Sequence, residues 1–352
     1  MTSISIKEFF ASANTYFGFK SYFNEVFDSF KLTRAFVLKG GPGTGKSTLM
    51  KKVGEIFKRE DLSMELFRCS SDCNSLDGLV LRNDNESVAI IDGTAPHVRD
   101  AVIPGAVDVL INLGEAIDNN VLTEAKNDVL KLNKAKSNSY QNAYDKLAKS
   151  FIFYSNIKAE MQTLMNFELM KKSFDDVLKT LECEKNTTRA LRLISSFSKE
   201  GYRRLNHFDT SSLKRYTVSG ESGSEFIFLT LLAKHLDNSG VKYTKIISAL
   251  DKESVEGIYF SDLDTVILGG KENNCICDTR EFFSKKYTDS FKEKIKNMQA
   301  CMQIYEKEAA DELKAASVSH FELEKIYTDA VDFSIIDRYT SYIIDEISKI
   351  FI

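Results

Sequence analysis

Residues 34–52 read RAFVLKGGPGTGKSTLMKK, a short apolar run, a glycine-rich turn and a polar stretch with helix-forming residues in immediate succession. Ala35 to Lys39 has the length and content of a buried strand, and a helix is expected to open at Lys46. Between them Gly40-Gly41-Pro42-Gly43-Thr44-Gly45-Lys46-Ser47 satisfies G-x-x-x-x-G-K-[ST], in the strand–turn–helix setting that this pattern needs if it is to cradle phosphate. The glycines let the backbone turn with its N–H groups inward, where an anion meets those donors and the positive end of the helix dipole. Lys46 is then expected to span the β and γ phosphates of a nucleotide and the Ser47 hydroxyl to ligate Mg²⁺. Gly40 to Thr48 is therefore the expected binding loop, for ATP or GTP with Mg²⁺.

Outward from this loop, Val88-Ala89-Ile90-Ile91-Asp92 is an apolar strand that ends in a carboxylate, where Asp92 would reach the Mg²⁺ shell. No glutamate follows it. Gly93-Thr94-Ala95-Pro96-His97 comes instead, so the catalytic glutamate of many ATP-driven motors is missing from its common place. Asp72, beyond the strand Met64 to Cys69, and His97 are both expected at the C-terminal edge of the sheet, where α/β proteins build their sites. Either would serve there to orient water or a substrate hydroxyl, or else only to stabilise its own loop. Strand, loop, helix, strand in succession indicates a parallel sheet with helices packed on it. Ahead of the first strand, Phe19, Phe23, Val26, Phe27 and Phe30 fall on one helical face, expected to pack against that sheet.

A chain of 352 residues exceeds the usual size of a single core, which favours two domains. Apolar residues make up 43% and charged residues 28%, the composition of an ordinary globular protein. The net charge is −4 with Lys and Arg scattered among Asp and Glu, so no electrostatic footprint for nucleic acid appears. MTSISIKEFF lacks the features of a secretory leader, and no apolar run is long enough to span a membrane. A cytoplasmic protein is expected. The six cysteines are too few for a disulfide framework, and Cys69 with Cys73, or Cys275 with Cys277, lacks the spacing of a zinc knuckle.

All three prolines lie in the first 105 residues, and neither Gly nor Pro occurs from Glu115 to Glu200 or from Lys271 to the end. Both stretches are expected to be helical, folded as hairpins. Tyr140, Tyr144, Leu147, Phe151, Tyr154, Ile157, Met161, Leu164, Phe167 and Phe174 recur at helical steps and form one apolar stripe. Packing is its first reading, with a lid or a surface for a protein partner as the alternative.

Setting Gly41 against Gly220 and advancing without a gap pairs Asp72 with Asp251, Ser75 with Ser254, Leu76 with Val255, Asp77 with Glu256 and Gly78 with Gly257, an offset of 179 throughout. After three residues drop out, Val88 to Ile91 meets Asp264 to Ile267. The chain reads as a tandem duplication, with domains over 1–205 and 206–352. In this register Lys46 falls on Glu225, Ser47 on Phe226 and Asp92 on Leu268. A glutamate would repel a triphosphate and a leucine cannot hold Mg²⁺, so one nucleotide per chain is expected.

Phe9 to Thr15 (FFASANT), Gly40 to Lys52 (GGPGTGKSTLMKK), Cys69 to Asp72 (CSSD), Ser75 to Gly78 (SLDG) and Asp92 to Val98 (DGTAPHV) resemble a family of largely uncharacterised bacterial ATP-binding proteins with two P-loop domains in tandem. The resemblance covers most of the first half and, more faintly, the second. It implies tandem P-loop α/β sheets, each followed by a helical block, with nucleotide binding and ATPase activity but no settled substrate. Members often keep a second phosphate loop, whereas Ser219 to Phe226 here reads SGESGSEF, as expected of a scaffold or regulator. An ATPase or ATP-driven switch ranks first. A small-molecule or nucleotide kinase ranks second, because only Arg82 and Arg99 stand near the site's loops to quench transition-state charge; a sensor that binds and hardly turns over ranks third.

Overall fold

Chain direction in the sheets follows from the lengths of the connections. The computed structural model describes residues 6–181, 189–205, 213–271 and 274–351. In the first copy β1 (Ile6–Phe10), β2 (Ser12–Thr15), β3 (Gly18–Ser21), the short α1 (Phe23–Val26), β4 (Arg34–Lys39), α2 (Lys46–Ile56), β5 (Ser63–Arg68), β6 (Leu76–Arg82), β7 (Ser87–Asp92) and β8 (Asp108–Asn112) follow one another. The helices α3 (Asn119–Glu124), α4 (Lys126–Leu164) and α5 (Phe167–Leu181) come next. The sheet runs β1-β5-β6-β7-β4-β8. β4 is parallel to β7 and β8, and β1 to β5, but β6 is antiparallel to both its neighbours. The sheet is therefore mixed, not parallel as expected. Leu76–Arg82 is a strand in its own right, and the link from it to β7 is a tight turn in which Asn83 Oδ1 accepts from the N–H groups of Asn85 and Glu86. So short a link cannot make the crossover that parallel strands need.

The second copy repeats this plan: β9 (Arg189–Arg192), β10 (Ser195–Ser198), β11 (Gly201–Arg204), β12 (Lys214–Ser219), α6 (Ser224–Ser239), β13 (Tyr243–Ile247), β14 (Val255–Phe260), β15 (Thr265–Gly269), β16 (Cys275–Asp278), α7 (Asp289–Thr328) and α8 (Phe333–Ile350). Its order, β16-β12-β15-β14-β13-β9, matches the first sheet strand for strand, with β14 antiparallel to its neighbours as β6 is. Two helical expectations are corrected. β9 and β10 lie inside the Gly- and Pro-free stretch before Glu200, and β16 lies inside the one after Lys271; lacking breakers does not choose helix over strand when a sheet edge is there to pair with. β9 joins the second sheet ahead of the 205/206 boundary, and residues 206–212 just beyond that boundary lie outside the described residues. The single helix expected around Phe19 to Phe30 is instead β3, α1 and one turn of 3-10 helix, with Phe23, Val26 and Phe27 buried and Phe30 80% exposed.

Strand alternation sorts the side chains into two layers. Ala35, Ala89 and Ile91 join Val266, Leu268 and Ile246 in one core shared by the two sheets, while Phe36, Leu38, Val88 and Ile90 face the opposite way, toward α2. The outer face of the second sheet is covered by α6. A second helix lies beside each of these, and it comes from the other copy. α5 packs on α6, with the Phe174 and Phe228 rings 5.2 Å apart, and α8 buries Ile336, Ile343 and Ile347 among Phe36, Leu49, Met50 and Val53. The exchange is carried by α4 and α7, each about 60 Å long at 1.5 Å per residue, which run antiparallel between the two sheets. Their ends are tied by backbone bonds that repeat when one partner advances by 166 residues and the other goes back by 166. Asp118 N donates to Ala330 O (2.8 Å) and Ser284 N to Leu164 O (2.9 Å); Asp332 N donates to Ala116 O and Asn166 N to Phe282 O, both 2.8 Å. The expected hairpins within each block are thus replaced by a pairing between blocks. The stripe from Tyr140 to Tyr154 is packing surface, set against Tyr16, Leu250, Ala309 and Leu313. No described helix is long and apolar enough to cross a membrane.

Ile343 is fully buried against the first sheet, so Ile343→Ala is expected to destabilise the protein by about 2–4 kcal/mol. Hydrogen exchange should place the loss of protection in α2 of the first copy, not in α6, although Ile343 belongs in sequence to the second. Loss confined to α6 would contradict the exchange of helices.

Candidate functional site

β4 ends at Lys39 and α2 opens at Lys46, and the six residues between them turn the chain tightly. Gly43 and Gly45 have φ of +72° and +76°, a left-handed conformation that glycine adopts without steric penalty. Gly45 is the N-cap of α2, and no acidic residue stands in the first helical turn to neutralise its positive end. Thr44 Oγ1 donates to Gly41 O (2.8 Å) and pins the loop from inside. The Lys46 ammonium donates to Gly40 O (2.9 Å) and Gly41 O (2.8 Å) and lies 3.8 Å from Asp92 Oδ2. The two side chains are only 11% and 14% exposed. Asp92 reaches this place because β7 pairs with β4 in the register that sets it beside Leu38. Burial pushes its carboxyl above the ordinary carboxylate range, opposed by the Lys46 charge and by the hydrogen bonds from Thr94. Ser47 Oγ accepts from Leu76 N (3.0 Å), which fastens α2 to the start of β6; the hydroxyl keeps a lone pair for a cation. Thr48 is exposed on α2.

The other two expected residues stand differently. Asp72 caps its own turn, accepting from Asn74 N (3.2 Å) and Ser75 Oγ (2.8 Å), and the second copy repeats this device at Asp251 with Ser254. His97 is buried, 6% exposed, stacked on the Phe23 ring at 4.6 Å and 8°. Its Nε2 lies 3.2 Å from Asp77 Oδ2, off the line of a good hydrogen bond, and its Nδ1 has no hydrogen-bond partner among the described residues. It therefore lies behind the site, where a substrate would not touch it. Burial disfavours the imidazolium, but the Asp77 carboxylate outweighs burial and raises the His97 pKa above 6.5.

Asp77 was not among the expected site residues, although its place in the repeated string, with Glu256 as counterpart, was a signal. Glu256 is likewise buried, accepting from Ser195 Oγ (2.7 Å) and Tyr202 OH (2.6 Å). A larger omission is α7. A Cβ on Gly41 would lie 2.6 Å from the Tyr327 ring, and one on Gly43 2.7 Å from both Glu324 O and Thr328 Oγ1. The last two turns of the second copy's long helix thus rest on the glycine loop of the first. Nothing local to either segment signals this contact.

The corresponding loop of the second copy is filled. Strand register sets Gly269 beside Val218 as Asp92 is set beside Leu38, so Asp92 corresponds to Gly269, not to Leu268. The bond from Leu76 N to Ser47 has its counterpart in Val255 N to Thr230 Oγ1 (3.0 Å), which puts Thr230, not Phe226, in the place of Ser47. α6 opens at Ser224, ahead of that point by more than a turn, whereas α2 opens at Lys46, just before Ser47. The extra turn carries Glu225 and Phe226 over Gly269, where an added Cβ would lie 2.7 Å from the Phe226 ring and 3.2 Å from Glu225 Cγ. Burial pushes the Glu225 carboxyl up, toward its neutral form. Among the described residues no group of three or more His, Cys, Asp or Glu could hold a metal, the cysteine pairs included. A divalent cation beside Asp92 and Ser47 would therefore need oxygens from its ligand. No family model, curated protein or solved structure matches this chain, so the second copy is the available comparison for the first.

The raised His97 pKa fixes a sign. The interaction with Asp77 stabilises the fold fully below 6.5 and is lost as pH rises through the folded value. Chemical denaturation should show His97→Gln costing more stability at about pH 6 than at about pH 9. An equal cost at both would exclude a charged His97.

Proposed function

We propose that this chain binds a nucleoside triphosphate with Mg²⁺ at Gly40 to Thr48 and hydrolyses it, as an ATPase or an ATP-driven switch. The observation that carries the reading is Lys46, nearly buried at the unneutralised N-terminus of α2 and held between loop carbonyls and Asp92. The carbonyl contacts are ones an incoming phosphate would replace, and a charged contact of this kind is stronger than a neutral one. Left-handed Gly43 and Gly45 leave the loop's N–H groups free to turn toward an anion. Asp92 and Ser47 are the residues that would hold Mg²⁺, and the donors present suit it, a carboxylate and a hydroxyl whose oxygens are hard ligands. When bound, Mg²⁺ supplies charge neutralisation to the phosphates.

The resemblance to tandem P-loop proteins points the same way. The switch element of the proposal rests on α7, whose end lies on the loop and whose start is tied to the end of α4; a phosphate that moved the loop would press on that helix. The kinase reading loses its two cations. Arg99 donates to Phe27 O (2.6 Å) and Ser29 Oγ (2.7 Å) in the interior, and Arg82 faces Glu65.

Lys46→Ala is expected to weaken ATP binding by roughly a hundredfold, the loss of about 3 kcal/mol for a charged contact, with the melting temperature little changed. Calorimetric titration tests this, and retained affinity would remove the loop from the function. Asp92→Asn should abolish the Mg²⁺ dependence of binding and the release of phosphate. The same titration should give about one nucleotide per chain, because Glu225 and Phe226 fill the second loop; two per chain would refute that assignment.

A further inference from the structure

We infer that Glu324 of α7 is the carboxylate that orients and deprotonates the attacking water, so that the site in the first copy is completed by the long helix of the second. This inference rests on the hydrolytic reading above. Among the described residues of the first copy, the candidates for such a group are committed elsewhere. No glutamate follows Asp92, both Asp72 oxygens serve its turn, and His97 is buried behind Asp77.

Glu324 stands at the right place. Its backbone carbonyl is the atom that a side chain on Gly43 would strike, and Tyr327, one turn on, seats against Gly41. Its carboxylate is 42% exposed, with His320 Nε2 3.5 Å away; burial and the Lys136 and Lys46 charges hold that imidazole's pKa below 6.5. Burial and the Asp72 charge raise the Glu324 pKa, while Lys46 and Lys136 hold it down, so all three charges are within its electrostatic reach.

The second copy gives the control. Going back by the 166 residues that relate the helix ends, Glu324 corresponds to Lys158 of α4, and by the offset of 179 that relates the turns Asp72 corresponds to Asp251. Lys158 Nζ lies 2.9 Å from Asp251 Oδ2 and 2.8 Å from Ser254 Oγ. Where the filled loop has a closed ion pair between long helix and turn, the open loop has two carboxylates within reach of each other. Burial and the Asp72 charge together outweigh Lys46 and Lys136 at Glu324, so its charged form opposes folding. A glutamate there contributes less to the fold than a lysine would, and its use lies with a ligand at the loop.

In the proposed step the oxygen of water forms a bond to the γ-phosphorus as the bond to the β,γ-bridging oxygen breaks. That electron pair leaves with the nucleoside diphosphate, and the water proton passes to Glu324 and then to solvent. Lys46 faces the charge that develops on the phosphates.

The test uses the full chain and Mg·ATP, with binding measured by titration and turnover by single-turnover phosphate release. Glu324→Gln should bind within about threefold of wild type and release phosphate at least about a hundredfold more slowly. Glu324→Lys, which rebuilds the ion pair of the second copy against Asp72, should raise the melting temperature while abolishing turnover. This pairing of gain with loss is one that a merely structural glutamate would not produce. Turnover by Glu324→Gln within threefold of wild type overturns the inference and leaves the site standing, as does a wild type that binds but releases no phosphate. A wild type that does not bind Mg·ATP removes the site assignment and this inference together.

Discussion

The antiparallel pairing of α4 with α7 is the constraint on which the rest of this molecule depends. Two helices of about forty residues lie side by side, closed at both ends by the same backbone bonds, from Asp118 to Ala330 and from Ser284 to Leu164. Because they run in opposite directions, each delivers the next helix to the far sheet. α8 supplies the apolar cover that the first sheet lacks, and α5 does the same for the second. Neither sheet has its outer face covered by its own copy alone, so an intermediate with only one copy folded would expose Phe36, Leu49 and Met50 or their counterparts. The duplication is therefore one folding unit in its packing, although it is two in its sequence.

The interior between the sheets is not wholly apolar, and its polar members come in corresponding pairs. Asp77 on β6 and Glu256 on β14 occupy the same place in the two copies. A buried carboxylate costs several kcal/mol unless it is paired or hydrogen-bonded. The two copies meet that cost in different ways. The first sets Asp77 against a histidine held by ring stacking on Phe23, and the second surrounds Glu256 with the hydroxyls of Ser195 and Tyr202, burial driving its carboxyl toward the neutral form. The first arrangement favours the charged form of its histidine, and the second disfavours the charged form of its carboxyl.

The same divergence appears at the loops. α6 opens about a turn earlier than α2, and its N-terminal side chains Glu225 and Phe226 occupy the space above Gly269. An ion pair between Lys158 and Asp251 then closes the neighbouring turn. In the first copy the corresponding space is open and the equivalent helix position is Glu324. On the proposed reading, one copy keeps the phosphate-binding loop and the other contributes the helix that covers it.

The glycine loop was legible in the sequence because everything that makes it is local. A strand end, two glycines free to take positive φ and a lysine at a helix start are all decided within nine residues, and the structure adds only the distances between Lys46, Asp92 and the loop carbonyls. The duplication was legible for a similar reason, since the Asp72 and Asp251 turns draw their hydrogen bonds from residues two and three places away. Sheet direction was misread where Leu76–Arg82 was not taken as a strand, and the short turn after it could have shown the reversal. The register of the second loop could not be read, because matching residues along the chain cannot show that strand pairing sets Gly269, and not Leu268, opposite Val218. The seat of α7 on the loop lay furthest from reach. An apolar stripe determines that a helix face is covered, but what covers it depends on how two forty-residue helices pair, and contacts between residues as distant as Gly41 and Tyr327 exist only once that pairing has formed.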